Sequence, residues 1–146
     1  MWLTADTLRN GAASGHYYEN YVVMELVKNY AYAKSKVNIT YFRDSNAKKI
    51  DVFIEENNVI HPLEIKRSTS PDRREVKKYS VIDKASLNRG NGGIICMCEE
   101  PIPIDKDNCF IPSNLIWITP IAKLYFQETK QSPKALLFVL VCPEND

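Results

Sequence analysis

Two alternating runs separated by a pair of asparagines constrain this chain more than any other feature. Ile50 to Glu56 sets Ile50, Val52 and Ile54 against Asp51, Phe53 and Glu55. Val59 to Arg67 sets Val59, His61, Leu63 and Ile65 against Ile60, Pro62, Glu64 and Lys66. A period of two is the signature of a strand. Asn57-Asn58 between them suits a hairpin turn, because Asn tolerates positive φ. With a two-residue loop, paired residue numbers sum to 115, which sets Asp51 opposite Glu64. A four-residue loop centred on the same point keeps that register, and a three-residue loop breaks it. Opposed residues share a face, with Cβ atoms ~4.5–5.5 Å apart. Lys66 joins them by strand period. Pro62 has no N–H to donate, so it belongs where that gap faces away from its hairpin partner.

Directly opposed carboxylates repel and need neutralising. Lys66 alone would make a solvated surface cluster. A divalent cation would instead take the paired oxygens as ligands. Glu19 bears on the choice. From about His16 to Ala33 the helical wheel gathers Val22, Val23, Leu26, Val27, Tyr30 and Ala33 on one arc, and Glu19 falls at its centre. A carboxylate buried there without a partner would be costly, so Glu19 is expected to reach the sheet. Ser14 is the expected cap of this helix. Tyr17, Tyr21 and Met24 form a second stripe opposite, so both helix faces are expected to be covered.

The remaining elements fill out an α/β pattern. Asn38 to Arg43 reads as a strand. Ser70 caps an expected helix from Pro71 to Ala85, with Pro71 at its first position. Gly93 to Cys98 is an apolar strand, and Glu99 to Asn108 an acidic loop. Cys109 to Ile118 holds another short strand, Pro120 to Gln131 a helix, and Ala135 to Cys142 a last strand. With 146 residues the chain can bury a core without staples. Apolar residues make up 45% and the net charge is +1, which excludes a disordered chain and a strongly basic coat. No apolar run approaches the ~20 residues of a membrane helix. Cys96, Cys98, Cys109 and Cys142 form no Cys-x-x-Cys pair and lie at no zinc spacing from His16 or His61. They read as small hydrophobes in a reducing, cytoplasmic setting.

Glu19 on a helix, Asp51 on a strand and Glu64-Ile65-Lys66 on the next resemble the PD-(D/E)xK nuclease superfamily. More narrowly, Gly15-His16-Tyr17-Tyr18-Glu19-Asn20-Tyr21-Val22-Val23, Tyr41-Phe42-Arg43-Asp44, and Ile50-Asp51 through Glu64-Ile65-Lys66 resemble one group within it. That group is the nuclease-like domain of unknown function found C-terminal to bacterial and archaeal AAA-type ATPases. The resemblance covers roughly Leu3 to Ile118. It implies an α/β three-layer restriction-endonuclease-like core, with a mixed central sheet and helices on both faces, over residues 1–118. Residues 119–146 are expected to be a C-terminal helix and strand extension packed on the same domain. Asp51 follows Lys48-Lys49-Ile50, where the group more often has an acidic residue two before the Asp. No phosphate-binding Gly-x-x-x-x-Gly-Lys-Ser/Thr is present, so the chain is expected to be a fragment lacking its ATPase.

The resemblance also implies Mg²⁺ or Mn²⁺ on Asp51, Glu64 and the Ile65 carbonyl, with Glu19, Asp51, Glu64 and Lys66 as the catalytic set. From Lys66 to Arg89 eight basic residues stand against three acidic ones. Arg67, Arg73, Arg74, Lys77 and Lys78 are the expected nucleic-acid contacts, with DNA ahead of RNA. A solvated helix face would read the same way. The rival readings are a non-catalytic module binding nucleic acid or protein, and a homodimerisation domain built on the Tyr17, Tyr21 and Met24 stripe.

Overall fold

The computed structural model describes residues 4, 6, 11–34, 36–45 and 48–117. The helix and strand expected within residues 119–146 lie outside them. Helix α1 spans Ser14–Tyr32. Strands β1 (Asn38–Arg43), β2 (Lys49–Glu56) and β3 (Val59–Ile65) follow. A 3₁₀ helix, Arg73–Tyr79, runs into the short α2, Ser80–Lys84. Strands β4 (Gly92–Cys96), β5 (Ile102–Pro103) and β6 (Asn108–Pro112) lead to a second 3₁₀ helix, Ser113–Trp117.

The strands form one mixed six-stranded sheet in the order β1-β2-β3-β4-β6-β5. The β1-β2-β3 meander is antiparallel, whereas β3-β4 and β4-β6 pair in parallel. Each face carries its own core. On one, Val22, Leu26 and Tyr30 of α1 pack on Val52, Ile54, Leu63, Ile65, Ile95 and Ile111. On the other, Val76 and Tyr79 of the 3₁₀ helix pack with Ile50, Ile94, Cys96 and Phe110. This is the expected α/β class, with helices on both faces of a mixed sheet.

The hairpin turns as the asparagines require. Asn57 and Asn58 have φ of 52° and 62°, the twist a two-residue turn needs. The register runs from Glu56↔Val59 to Val52↔Leu63, and every pair sums to 115. Pro62 lies in a central strand and is still tolerated. The Ile60 and Lys66 amides donate to the Asn88 and Ile95 carbonyls, so the even-numbered amides of β3 point toward β4. Regular β3-β4 pairing begins only at Leu63↔Gly93, one residue past the missing donor. Gly92 permits this close approach, since a Cβ there would stand 2.6 Å from the Pro62 carbonyl oxygen.

Three local expectations are corrected. Ser14 does not cap α1: the N-cap is Ala13, with no side-chain cap bond, and the Ser14 hydroxyl instead accepts from Arg67 at 3.4 Å. The helix expected over Pro71 to Ala85 begins at Arg73, and its first part is 3₁₀. Asp72, not Ser70, caps it by accepting from the Arg74 amide at 2.9 Å, while the Ser70 amide is turned back to the Ser68 hydroxyl. Finally, Tyr17, Tyr21 and Met24 are exposed, so the outer face of α1 is uncovered by the described residues. Cys96 is buried, Cys98 and Cys109 are partly so, and none of the three forms a disulfide among the described residues. No helix among the described residues is long and apolar enough to cross a membrane.

Candidate active site

The cluster forms where the β2-β3 ladder stops. The last recorded pair is Val52↔Leu63. The next amide facing β2, that of Ile65, donates to Asp51 Oδ2 at 2.9 Å. A carboxylate has thus replaced a main-chain carbonyl as the acceptor, and Asp51 is fixed by the backbone of the neighbouring strand. Lys49 lies two residues before Asp51 and shares its face. Its ammonium meets Asp51 Oδ1 at 2.9 Å and Glu19 Oε1 at 2.5 Å. Glu19 therefore reaches Asp51 through a lysine. The expectation that Glu19 is buried on the apolar face is corrected: its side chain is 27% exposed. The packed stripe of α1 runs through Tyr18, Val22, Leu26 and Tyr30, and Glu19 sits beside it with its carboxylate on Lys49.

Glu64 is held differently. Two ammonium groups converge on its Oε1, Lys66 at 3.0 Å and Lys78 at 2.9 Å. Both also meet Glu75 Oε2, at 3.6 Å and 2.8 Å. Glu64 Oε2 is buried and makes no hydrogen bond. The cluster thus has an inner pair, Asp51 and Glu64, with side chains 5% and 4% exposed. It has an outer pair, Glu19 and Glu75, at 27% and 31%. Each of the three lysines is shared between an inner and an outer carboxylate.

The electrostatics follow from this layout. Burial pushes the Glu64 carboxyl above its ordinary pKa; Lys78 and Lys66 oppose the shift and Asp51 adds to it. Burial also works against the charge on Glu75, but pairing with Lys78 and Lys66 outweighs it and the pKa falls. Lys66 is desolvated too, yet Glu64 and Glu75 hold its ammonium above the usual value. Tyr79 lies buried beneath the cluster and donates to the Gly93 carbonyl at 2.7 Å. Its hydroxyl is raised well above normal by burial, and then by the Glu64 and Asp51 charges.

Asp51 and Glu64, near enough that the charge of one raises the pKa of the other, offer hard oxygen donors of the kind Mg²⁺ and Mn²⁺ prefer. The unbonded Glu64 oxygen is a donor position open to such an ion. No group of three or more His, Cys, Asp or Glu side chains arranged to hold a metal occurs among the described residues. Asp51 and Glu64 would supply two ligands, and the Ile65 carbonyl and water would have to supply the rest.

The expected basic patch is divided. Lys78 points into the cluster. Arg74 is paired with Asp72 at 2.8 Å, and the Arg73 guanidinium stands over the Phe110 ring, 5.8 Å from its centroid. Arg67 reaches Ser14. Of the five, only Lys77 is an exposed cation given no such partner by these contacts. Sequence reasoning missed Lys49, Glu75 and Tyr79, and it assigned Lys78 outward. The signals were present: Lys49 and Asp51 share a strand face, and Glu75 and Lys78 share a helical face three residues apart.

The family model described as Domain of unknown function (DUF4143) matches residues 14–116. The chain belongs to the DUF4143 family. No curated protein and no solved structure matches it. The DUF4143 match opens at the first residue of α1 and closes within the second 3₁₀ helix, so it takes in the whole sheet and every member of the carboxylate–lysine cluster.

Proposed function

We propose that this DUF4143 domain is a metal-dependent nuclease of the PD-(D/E)xK type, hydrolysing nucleic-acid phosphodiesters and serving an AAA-type ATPase partner. The observation that carries the reading is the buried Asp51–Glu64 pair at the open end of a hairpin, with one Glu64 oxygen left without a bond. Asp51, Glu64 and the Ile65 carbonyl would hold Mg²⁺ or Mn²⁺. The ion would polarise the phosphodiester and favour ionisation of the attacking water. Lys66, beside Glu64, orients that water and stabilises the charge that develops on the phosphoryl oxygens. Glu19 acts as a positioning residue through Lys49 rather than as a ligand. Lys77 and Arg67 face a phosphate backbone, with DNA favoured over RNA.

The test is Mn²⁺-dependent nicking of plasmid, single-stranded DNA and RNA beside a binding titration. Wild type is expected to cut, and Lys66→Ala to bind without cutting. A wild type that binds but cuts none of the three overturns the nuclease reading. The second reading, a binding module, has one observation of its own: Tyr17, Tyr21 and Met24 form an exposed stripe on α1, away from the cluster. Replacing that stripe would then remove binding while leaving the cluster intact.

A further inference from the structure

The Lys49 ammonium stands between two carboxylates, at 2.5 Å from Glu19 and 2.9 Å from Asp51. It contacts one of the two side chains that the proposed function assigns to a divalent cation. Its own side chain is 44% exposed, the most open of the three lysines in the cluster. We infer that Lys49 is a built-in competitor for the cation, an internal counter-ion that holds Asp51 Oδ1 and must withdraw onto Glu19 before that oxygen can ligate a metal. This inference rests on the proposed metal site.

The arrangement supports an exchange rather than a fixed bridge. Asp51 does not depend on Lys49 alone, because the Ile65 amide holds its other oxygen at 2.9 Å. Lys49 does not depend on Asp51 alone, because Glu19 remains beside it. Departure of the ammonium from Asp51 therefore leaves neither group without a partner. The charge balance points the same way. Four carboxylates meet three ammonium groups in this cluster, so a divalent cation arrives at a site already nearly neutral. The Lys66 and Lys78 ammoniums share Glu64 and Glu75 on the far side and are less exposed. Lys49 alone of the three contacts Asp51.

Calorimetric titration of the full chain with Mn²⁺ tests this, using wild type, Lys49→Gln and a charge control, Lys48→Gln. Removing a unit charge a few ångströms from a divalent ion is expected to tighten binding about tenfold. Lys48 is exposed, so its removal is expected to change affinity less than about threefold, because solvent and salt screen it. The Mn²⁺-induced rise in melting temperature should grow in parallel for Lys49→Gln. Should the unpaired Glu19 impair folding of that variant, Glu19→Gln/Lys49→Gln removes both charges and should still bind Mn²⁺ more tightly than wild type. If wild type binds Mn²⁺ but Lys49→Gln is unchanged, or shifts only as much as Lys48→Gln, the competitor role is overturned and the metal site stands. A double variant binding no better than wild type overturns it equally. If no variant and no wild type binds Mn²⁺, both the inference and the metal site fail.

Discussion

The two inner carboxylates are almost equally buried, yet the chain treats them in opposite ways. Asp51 has a partner on each oxygen, a main-chain amide and a lysine. Glu64 gathers two lysines on one oxygen and leaves the other without a bond. Asp51 is therefore part of the hairpin's own bonding, whereas Glu64 is tied only to the Lys66 and Lys78 side chains. Burial alone would not have separated them. What separates them is which backbone donors the end of the ladder leaves within reach.

The largest effect should come from removing the structural partner. Asp51→Ala strands the buried Ile65 amide and frees Lys49 from its inner contact, at a cost of about 3 kcal/mol. Glu64→Gln keeps the shape, relieves a desolvated charge and leaves Lys66 and Lys78 on Glu75. It should stay within about 1 kcal/mol of wild type at neutral pH. Urea unfolding of both variants decides, and equal losses would erase the distinction drawn here.

A smaller effect should appear in the pH dependence. Because burial raises the Glu64 pKa, the native state keeps a proton that the unfolded chain has already released. Native-state stability therefore falls as pH rises from the ordinary carboxylate value through the raised one. Glu75 is lowered, so its contribution is present above the ordinary value and lost as pH falls through the lowered one. Glu64→Gln should gain on wild type as pH rises from the ordinary carboxylate value through the raised one. A constant difference across that range would show that Glu64 carries no such penalty.

The smallest effects concern the basic face. Lys77→Ala should lower the log–log salt slope of duplex DNA binding by ~0.9, the loss of one phosphate contact. Lys78→Ala should leave the slope unchanged, since that ammonium is already spent on Glu64 and Glu75. Equal slopes for the two variants would mean that Lys78 reaches solvent when nucleic acid binds.

Much of this could be read from the residues. Asn57-Asn58 announced both the turn and the register, because a two-residue loop and a period of two leave one pairing that buries Val52, Ile54, Leu63 and Ile65 together. The arithmetic holds from Glu56↔Val59 to Val52↔Leu63 and stops there; Ile50, expected on the face of Val52 and Ile54, packs in the opposite core with Phe53, beside the register shift in the β1-β2 pairing. The failures share a cause. Ser14 and Ser70 were read as caps from residue type, but the Ser14 hydroxyl accepts from Arg67 and the second helix starts two residues later than expected, where Asp72 rather than Ser70 is in reach of its first turn. Lys78 was counted as surface charge because a run of basic residues does not say which way each one points. Its direction was decided by buried Glu64, which lies fourteen residues away in the chain and directly across the packed face.

A crystal soaked in Mn²⁺ tests the central claim most directly, because the ion's anomalous signal locates it without assuming a substrate. The account predicts one peak between the Asp51 and Glu64 carboxylates, at bonding distance from Glu64 Oε2 and with the Lys49 ammonium drawn toward Glu19. A soak at saturating Mn²⁺ that leaves this position empty, with Lys49 still on Asp51 Oδ1, would contradict it.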